Sequence, residues 1–195
     1  MNEEIIQEIK QTIPWFIVAA LAVAGYYGVK NYRENRRAES SAALVQSYTT
    51  GEFESAVSKY GSTAAGGALK LRLAKKYYDD GRYDEAIAVY DGLSSSAPDG
   101  FADIPAVGKA HCLEAKGDYA AALAAYDGFA AANPGSFLAF DAKLGAIRAT
   151  ALGGDREKAL SALAALKESV KGDDASKLRV EQLEDALKRL PVAGK

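Results

Sequence analysis

Two regimes of hydrophobic patterning divide the chain. From Gln11 to Val29, 19 consecutive residues carry no charge, and no polar face interrupts the run. As a helix rising about 1.5 Å per residue it reaches roughly 28 Å, close to the thickness of the hydrocarbon layer of a bilayer. The pattern predicts a short tail over 1–12 and a transmembrane helix over 13–29. Trp15 at one end and Tyr26 and Tyr27 at the other stand where amphipathic rings anchor a span at its two interfaces, and Pro14 is expected in the first turn, where it costs no helical hydrogen bond. Ala22-Val23-Ala24 resembles a signal-peptide cleavage site. A signal peptide needs a basic leader, however, and this leader sets Glu3, Glu4 and Glu8 against Lys10, with the basic cluster after the apolar run.

Beyond Lys30 the apolar residues recur at spacings of three and four in segments rich in Ala, Leu, Lys and Glu, and no stretch shows β-type alternation; the expected fold is all-α. Two segments repeat. Leu73-Ala74, Tyr77, Gly81, Tyr83, Ala86, Tyr90 and Pro98 form one series, and Gly117, Tyr119, Ala122, Tyr126 and Pro134 recur 36 residues later. Gly81 and Gly117 are expected to end a first helix in the left-handed conformation, cheapest for glycine, and Ala86 and Ala122 to let the second helix approach closely. Tyr90 and Tyr126 then fill the space between neighbouring pairs, and Pro98 and Pro134 stop each second helix. Such a pair cannot bury its apolar face alone, so stacking supplies the core.

Weaker copies flank this unit. Gly51, Phe53, Ala56 and Tyr60 repeat the second-helix signature, which makes 30–48 a first helix continuous with the apolar run. Gly154, Ala159 and Leu163 mark a degenerate later unit behind a helix around 137–152, and 173–190 reads as a capping helix ending at Pro191. The predicted architecture is a single transmembrane helix followed by an α-solenoid over 30–190 (about 30–64, 65–100, 101–136 and 137–172, with the cap 173–190) and a tail over 191–195.

Composition narrows the chemistry. The 24 Lys and Arg nearly balance 26 Asp and Glu, which argues against nucleic-acid binding. One His and one Cys exclude an intramolecular disulfide and leave too few ligands for a His/Cys metal cluster. His111 and Cys112 are adjacent and point about 100° apart on a helix, so they do not form a nucleophile–base pair. Gly66-Gly67 and Gly153-Gly154 lack the Lys and strand context of a phosphate loop. No catalytic residue, metal, cofactor or small-molecule substrate is expected; an enzyme reading would rest on dispersed carboxylates alone. Arg33, Arg36 and Arg37 are expected to anchor to lipid headgroups. With Lys30 they outnumber Lys10, the one basic residue before the span, and by the positive-inside rule they place the C-terminal part in the cytoplasm.

The repeat spacing resembles the tetratricopeptide repeat, although Lys70 and Ala106 stand where its usual Trp would be and a two-residue insertion separates the units. The whole layout is similar to the YfgM family of ancillary translocon proteins. That resemblance implies a bacterial inner-membrane protein with its repeat domain in the periplasm, an adaptor for Sec translocon subunits, periplasmic chaperones or emerging client segments. A scaffold or assembly factor for another envelope complex shares the layout. In a tetratricopeptide array the inner surface is lined by the first helix of each pair. This implies a peptide-binding groove of Val45, Tyr48, Leu71, Lys75, Tyr78, Val107, His111, Glu114, Leu144 and Arg148. Leu71 stands where a carboxylate clamp needs Lys, which disfavours that mode.

Overall fold

In a computed structural model the chain is described at residues 3–93, 101–170 and 172–190, the side chains of 3–14, 16 and 17 excepted. Every regular element among them is an α-helix: α1 (Glu3–Gln46), α2 (Thr50–Tyr60), α3 (Gly66–Asp79), α4 (Tyr83–Leu93), α5 (Ile104–Ala115), α6 (Tyr119–Ala132), α7 (Ala139–Leu152), α8 (Arg156–Ser169) and α9 (Asp174–Arg189). They pair as α1/α2, α3/α4, α5/α6 and α7/α8, with α9 closing the end. This layout is consistent with an α-solenoid and compatible with tetratricopeptide-like pairs.

The joints follow from local chemistry. Gly81, Gly117 and Gly154 have φ of 75°, 84° and 105°, a region that costs a residue with a Cβ roughly 1–2 kcal/mol. The next residue closes each turn back onto the helix just ended: the N–H of Arg82 donates to Tyr77 O at 2.8 Å, that of Asp118 to Leu113 O at 3.0 Å and that of Asp155 to Thr150 O at 3.1 Å. Asp118 and Asp155 then cap the following helix, accepting from the N–H of Ala121 and of Lys158. A left-handed glycine followed by a capping aspartate is therefore the hinge of the last two pairs. Thr49 and Glu52 form a reciprocal capping box at the start of α2.

The odd-numbered helices touch across pair boundaries, α1 with α3, α3 with α5 and α5 with α7, whereas among the described residues the even-numbered helices do not touch each other. The odd helices thus form the layer through which successive pairs touch. Ala86, Ala122 and Ala159 are completely buried where each second helix meets its partner. The core falls into three successive clusters, the first centred on Phe53, Leu69 and Tyr77, the second on Val107, Ala122 and Tyr126, the third on Leu163, Val180 and Leu187.

The N-terminal helix corrects two expectations. It begins at Glu3, so 3–12 is helical and runs into the apolar stretch instead of forming a separate tail, and Pro14 lies inside the helix rather than in its first turn. The leader is built of Glu, Gln, Ile and Lys, which carry a helix readily, and acidic residues favour its positive end. The link to the repeats is continuous as expected. Among the described residues no helix is long and apolar enough to cross a membrane. The expected span over 13–29 lies partly outside them, since the side chains of 13, 14, 16 and 17 are not described. The helix stop expected at Pro98 and the tail over 191–195 also lie outside the described residues.

Candidate functional site

The candidate site is built around two tyrosines that wedge between repeats. A Cβ added at Gly108 would stand 2.5 Å from the ring of Tyr90, and one at Gly145 would stand 2.6 Å from the ring of Tyr126. Each second-helix tyrosine thus lies flat against a bare backbone position of the next first helix. Gly108 and Gly145 sit in helix interiors, where glycine costs about 0.5–1 kcal/mol relative to alanine; the ring contact accounts for that cost.

Beside the first wedge a cleft of about 250 Å³ opens, lined by Lys75, Tyr78, Tyr90, Gly108 and His111. Tyr78 meets Tyr83 edge-on at 5.5 Å. Lys75 pairs with Asp79 one turn on and holds its ammonium 5.5 Å from the centre of the Tyr78 ring. Burial raises the phenols of Tyr78 and Tyr90, that of Tyr90 to about 12. The walls are therefore neutral and largely aromatic, with one compensated cation at the rim.

Beside the second wedge the polar groups engage each other. The hydroxyl of Tyr126 donates to Glu114 Oε2 at 2.9 Å and lies 2.7 Å from His111 Nδ1. Arg148 reaches the same carboxylate from α7 with two nitrogens, Nη2 to Oε2 at 2.7 Å and Nε to Oε1. The single phenolic proton goes to the carboxylate, the stronger acceptor, so His111 Nδ1 donates to the phenol oxygen and its Nε2 remains an acceptor. Burial holds the His111 pKa below its ordinary value; the Arg148 charge adds to this and Glu114 opposes it. Burial, then the Glu114 carboxylate, pushes the Tyr126 phenol far above the usual range. The side chains link α5, α6 and α7 and are committed to the fold.

The structure separates the groove residues expected from sequence into three groups. Lys75, Tyr78 and His111 come together at the cleft. Glu114 and Arg148 stand beside it but are engaged with Tyr126. Val107 and Leu144 are not groove residues: they are 4% and 6% exposed. Val107 belongs to the second core cluster with Tyr126 and Phe129, and Leu144 to the third, which includes Val180, Leu183 and Leu187 of α9. The inner surface therefore closes toward the C-terminal end. Leu71 is half-buried against the first core cluster. Val45 and Tyr48 are 71% and 76% exposed and lie outside the cleft. Tyr90 and Gly108 belong to the site and were missed; the legible signal was a second-helix Tyr followed 18 or 19 residues later by a mid-helix Gly, which occurs twice.

Along α1, every described side chain from Trp15 to Asn35 is exposed, including Val18, Leu21, Val23, Tyr26 and Tyr27. Arg33 and Arg37 are exposed, while Arg36 is half-buried, its guanidinium 5.1 Å from the centre of the Tyr60 ring and its Nη2 donating to Lys59 O at 2.8 Å. Cys112 is fully buried in the first cluster and its thiol is pushed up to about 11 by burial, so it is a packing residue. Among the described residues no three His, Cys, Asp or Glu side chains gather where they could hold a metal ion. No family model, curated protein or solved structure matches this chain.

Proposed function

We propose that this protein is a membrane-tethered, non-enzymatic adaptor whose inner face binds a segment of a partner protein, with the cleft between α3 and α5 receiving an apolar or aromatic side chain of that segment. The observation that carries the reading is the cleft itself: neutral aromatic walls, a backbone floor at Gly108 and a His111 acceptor at its edge suit one side chain of a peptide laid along the odd helices. Tyrosines supply contact area at low entropic cost. The tether reading rests on the uncharged run from Gln11 to Val29 and on the exposed apolar residues of α1, which leave the array for roughly 30 Å with no side-chain cover. A tether raises the local concentration of the groove at the membrane without adding contacts. The YfgM-like layout supports translocon subunits, chaperones or emerging chains as the partners.

A photo-crosslinking residue in place of Tyr78, compared with one in place of the exposed Ala88 on the outer layer, tests the groove in intact cells. Adducts to the same proteins from Tyr78 and none from Ala88 are expected; equal patterns from both positions would overturn the groove reading. A reporter fused after Lys195 tests the side of the membrane. A periplasmic signal is expected from the YfgM-like layout, and a cytoplasmic one, as the basic cluster after the run implies, would sink that layout while leaving the adaptor intact.

A further inference from the structure

We propose that the cavity between α1 and the turn joining α2 to α3 is a phosphate-binding site that takes the headgroup of one anionic lipid and so fixes the array against the bilayer surface. The inference rests on the tether reading above and gives it a specific contact.

The cavity measures about 410 Å³ and is lined by Tyr32, Arg33, Arg36 and Arg37 on one side and by Ser62, Thr63 and Ala64 on the other. Arg33, Arg36 and Arg37 share one helical face by their spacing of three and four, and Arg33 stands one turn after Val29, where the uncharged run ends. The positive charge there is in excess. Arg36, Lys59 and the ring of Tyr60 form a stack whose one carboxylate is Glu39, which accepts from the Tyr60 hydroxyl at 3.2 Å. Glu34 is turned toward Lys30. Among the described residues Arg33 and Arg37 have no acidic partner.

The opposite wall is held rigidly. Gly61 caps α2 through its N–H to Val57 O, Thr63 bonds back to Tyr60 O through both its N–H and its hydroxyl, and Gly66 donates to Thr63 O. A Cβ at Gly66 would stand 2.3 Å from Gly61 O, so the turn closes as tightly as backbone allows. Ala65, at the N-cap of α3, offers no side-chain acceptor to that helix's first amides, which leaves the positive end of α3 uncompensated by a cap. Two guanidinium groups without an acidic partner, facing the Ser62 hydroxyl across the gap, are the donors a phosphate takes, the Thr63 hydroxyl being already spent on Tyr60 O; guanidinium binds phosphate oxygens in pairs. The depth selects the source: the site lies one to two helical turns beyond the apolar run, at the level of the headgroups.

The test uses the full chain purified with lipid and native mass spectrometry to count retained phospholipid. One phosphatidylglycerol is expected to stay bound in preference to phosphatidylcholine. The double substitution Arg33→Gln with Arg37→Gln, and separately Ala64→Phe, which fills the cavity from an exposed position without changing charge, are each expected to lower retention by about tenfold. Lys30→Gln, outside the cavity, should leave retention unchanged. Retention by the Ala64→Phe chain equal to that of the parent, or equal retention of phosphatidylcholine, would overturn the proposal. In lipid-free detergent, inorganic phosphate alone should leave the amide resonances of Ser62 and Thr63 in place; saturable shifts would assign the site to a soluble anion and overturn the lipid source. Vesicle flotation separates the two levels. A chain that does not float overturns the tether reading, whereas one that floats yet retains no lipid overturns only the cavity's role.

Discussion

At the scale of single residues, Tyr126 determines what its neighbours are able to do. Glu114 and Arg148 stand at positions that an inner groove would expose, yet their side chains are 11% and 34% exposed and are spent on each other and on the phenol. Glu114→Ala leaves a half-buried guanidinium and a phenolic O–H without their acceptor. It is expected to cost about 2–3 kcal/mol in denaturant unfolding. A loss below about 0.5 kcal/mol would show the cluster to be surface decoration. His111 supplies a pH dependence whose sign is fixed by its lowered pKa. The unfolded chain binds a proton at this site more readily than the folded one, so the contribution of the neutral imidazole is fully present above the ordinary pKa near 6.5 and is lost as pH falls below it toward the folded value. Stability measured from pH 8 down to pH 5 should decline over that window, and the decline should be shallower in His111→Gln.

At the scale of elements, the repeat is a wedge of tyrosine against glycine as much as a stack of amphipathic helices. Gly145→Ala places a methyl group 2.6 Å from the Tyr126 ring, which is fully buried and tied by two hydrogen bonds, so neither side yields easily. A loss of about 2–3 kcal/mol is expected. Gly108→Ala makes a similar clash, its new Cβ standing 2.5 Å from the ring of the buried Tyr90. A comparable cost of about 2–3 kcal/mol is expected, and crosslinking from Tyr78 should fall because Tyr90 and Gly108 both line the cleft. Gly128→Ala is the control: nothing lies within 4 Å of the new Cβ in an ordinary helical backbone, and a gain of about 0.5–1 kcal/mol is expected. Thermal melts of the three variants check the order.

At the scale of the whole molecule, the three core clusters follow one another along the chain, so stability should be distributed between neighbours rather than shared globally. Leu187, 1% exposed, holds α9 against α7 and α8. Leu187→Ala is expected to cost about 3 kcal/mol locally. Native-state hydrogen exchange should show lost protection in α7 to α9 while α2 to α4 keep theirs; a uniform loss would mean the array opens as one unit. The same end of the molecule explains why the groove is short, because α9 covers Leu144.

Much of this was legible in the chain. The spacing of Gly81, Ala86 and Tyr90 and of Gly117, Ala122 and Tyr126 determined the helix pairs, their joints and the wedge positions, because left-handed turns, close helix approach and a bulky filler each admit few residue types. Phe53, Ala56 and Tyr60 likewise announced the first pair. Tertiary structure alone decided which face residues remained open. Val107, His111 and Glu114 lie on one stripe of one helix, and periodicity gives them the same status. Yet Val107 is closed over by α6, Glu114 is captured by an arginine from α7 and His111 is left at the edge of a cleft. Exposure is set by what a neighbouring element brings from well outside the local window, 15 residues away for His111 and Tyr126 and 34 for Glu114 and Arg148, and a local pattern carries no record of that partner. The cavity beside Arg33 and Arg37 is the same case: the charges were visible in sequence, but the turn that makes a pocket of them arrives only when α2 folds back on α1.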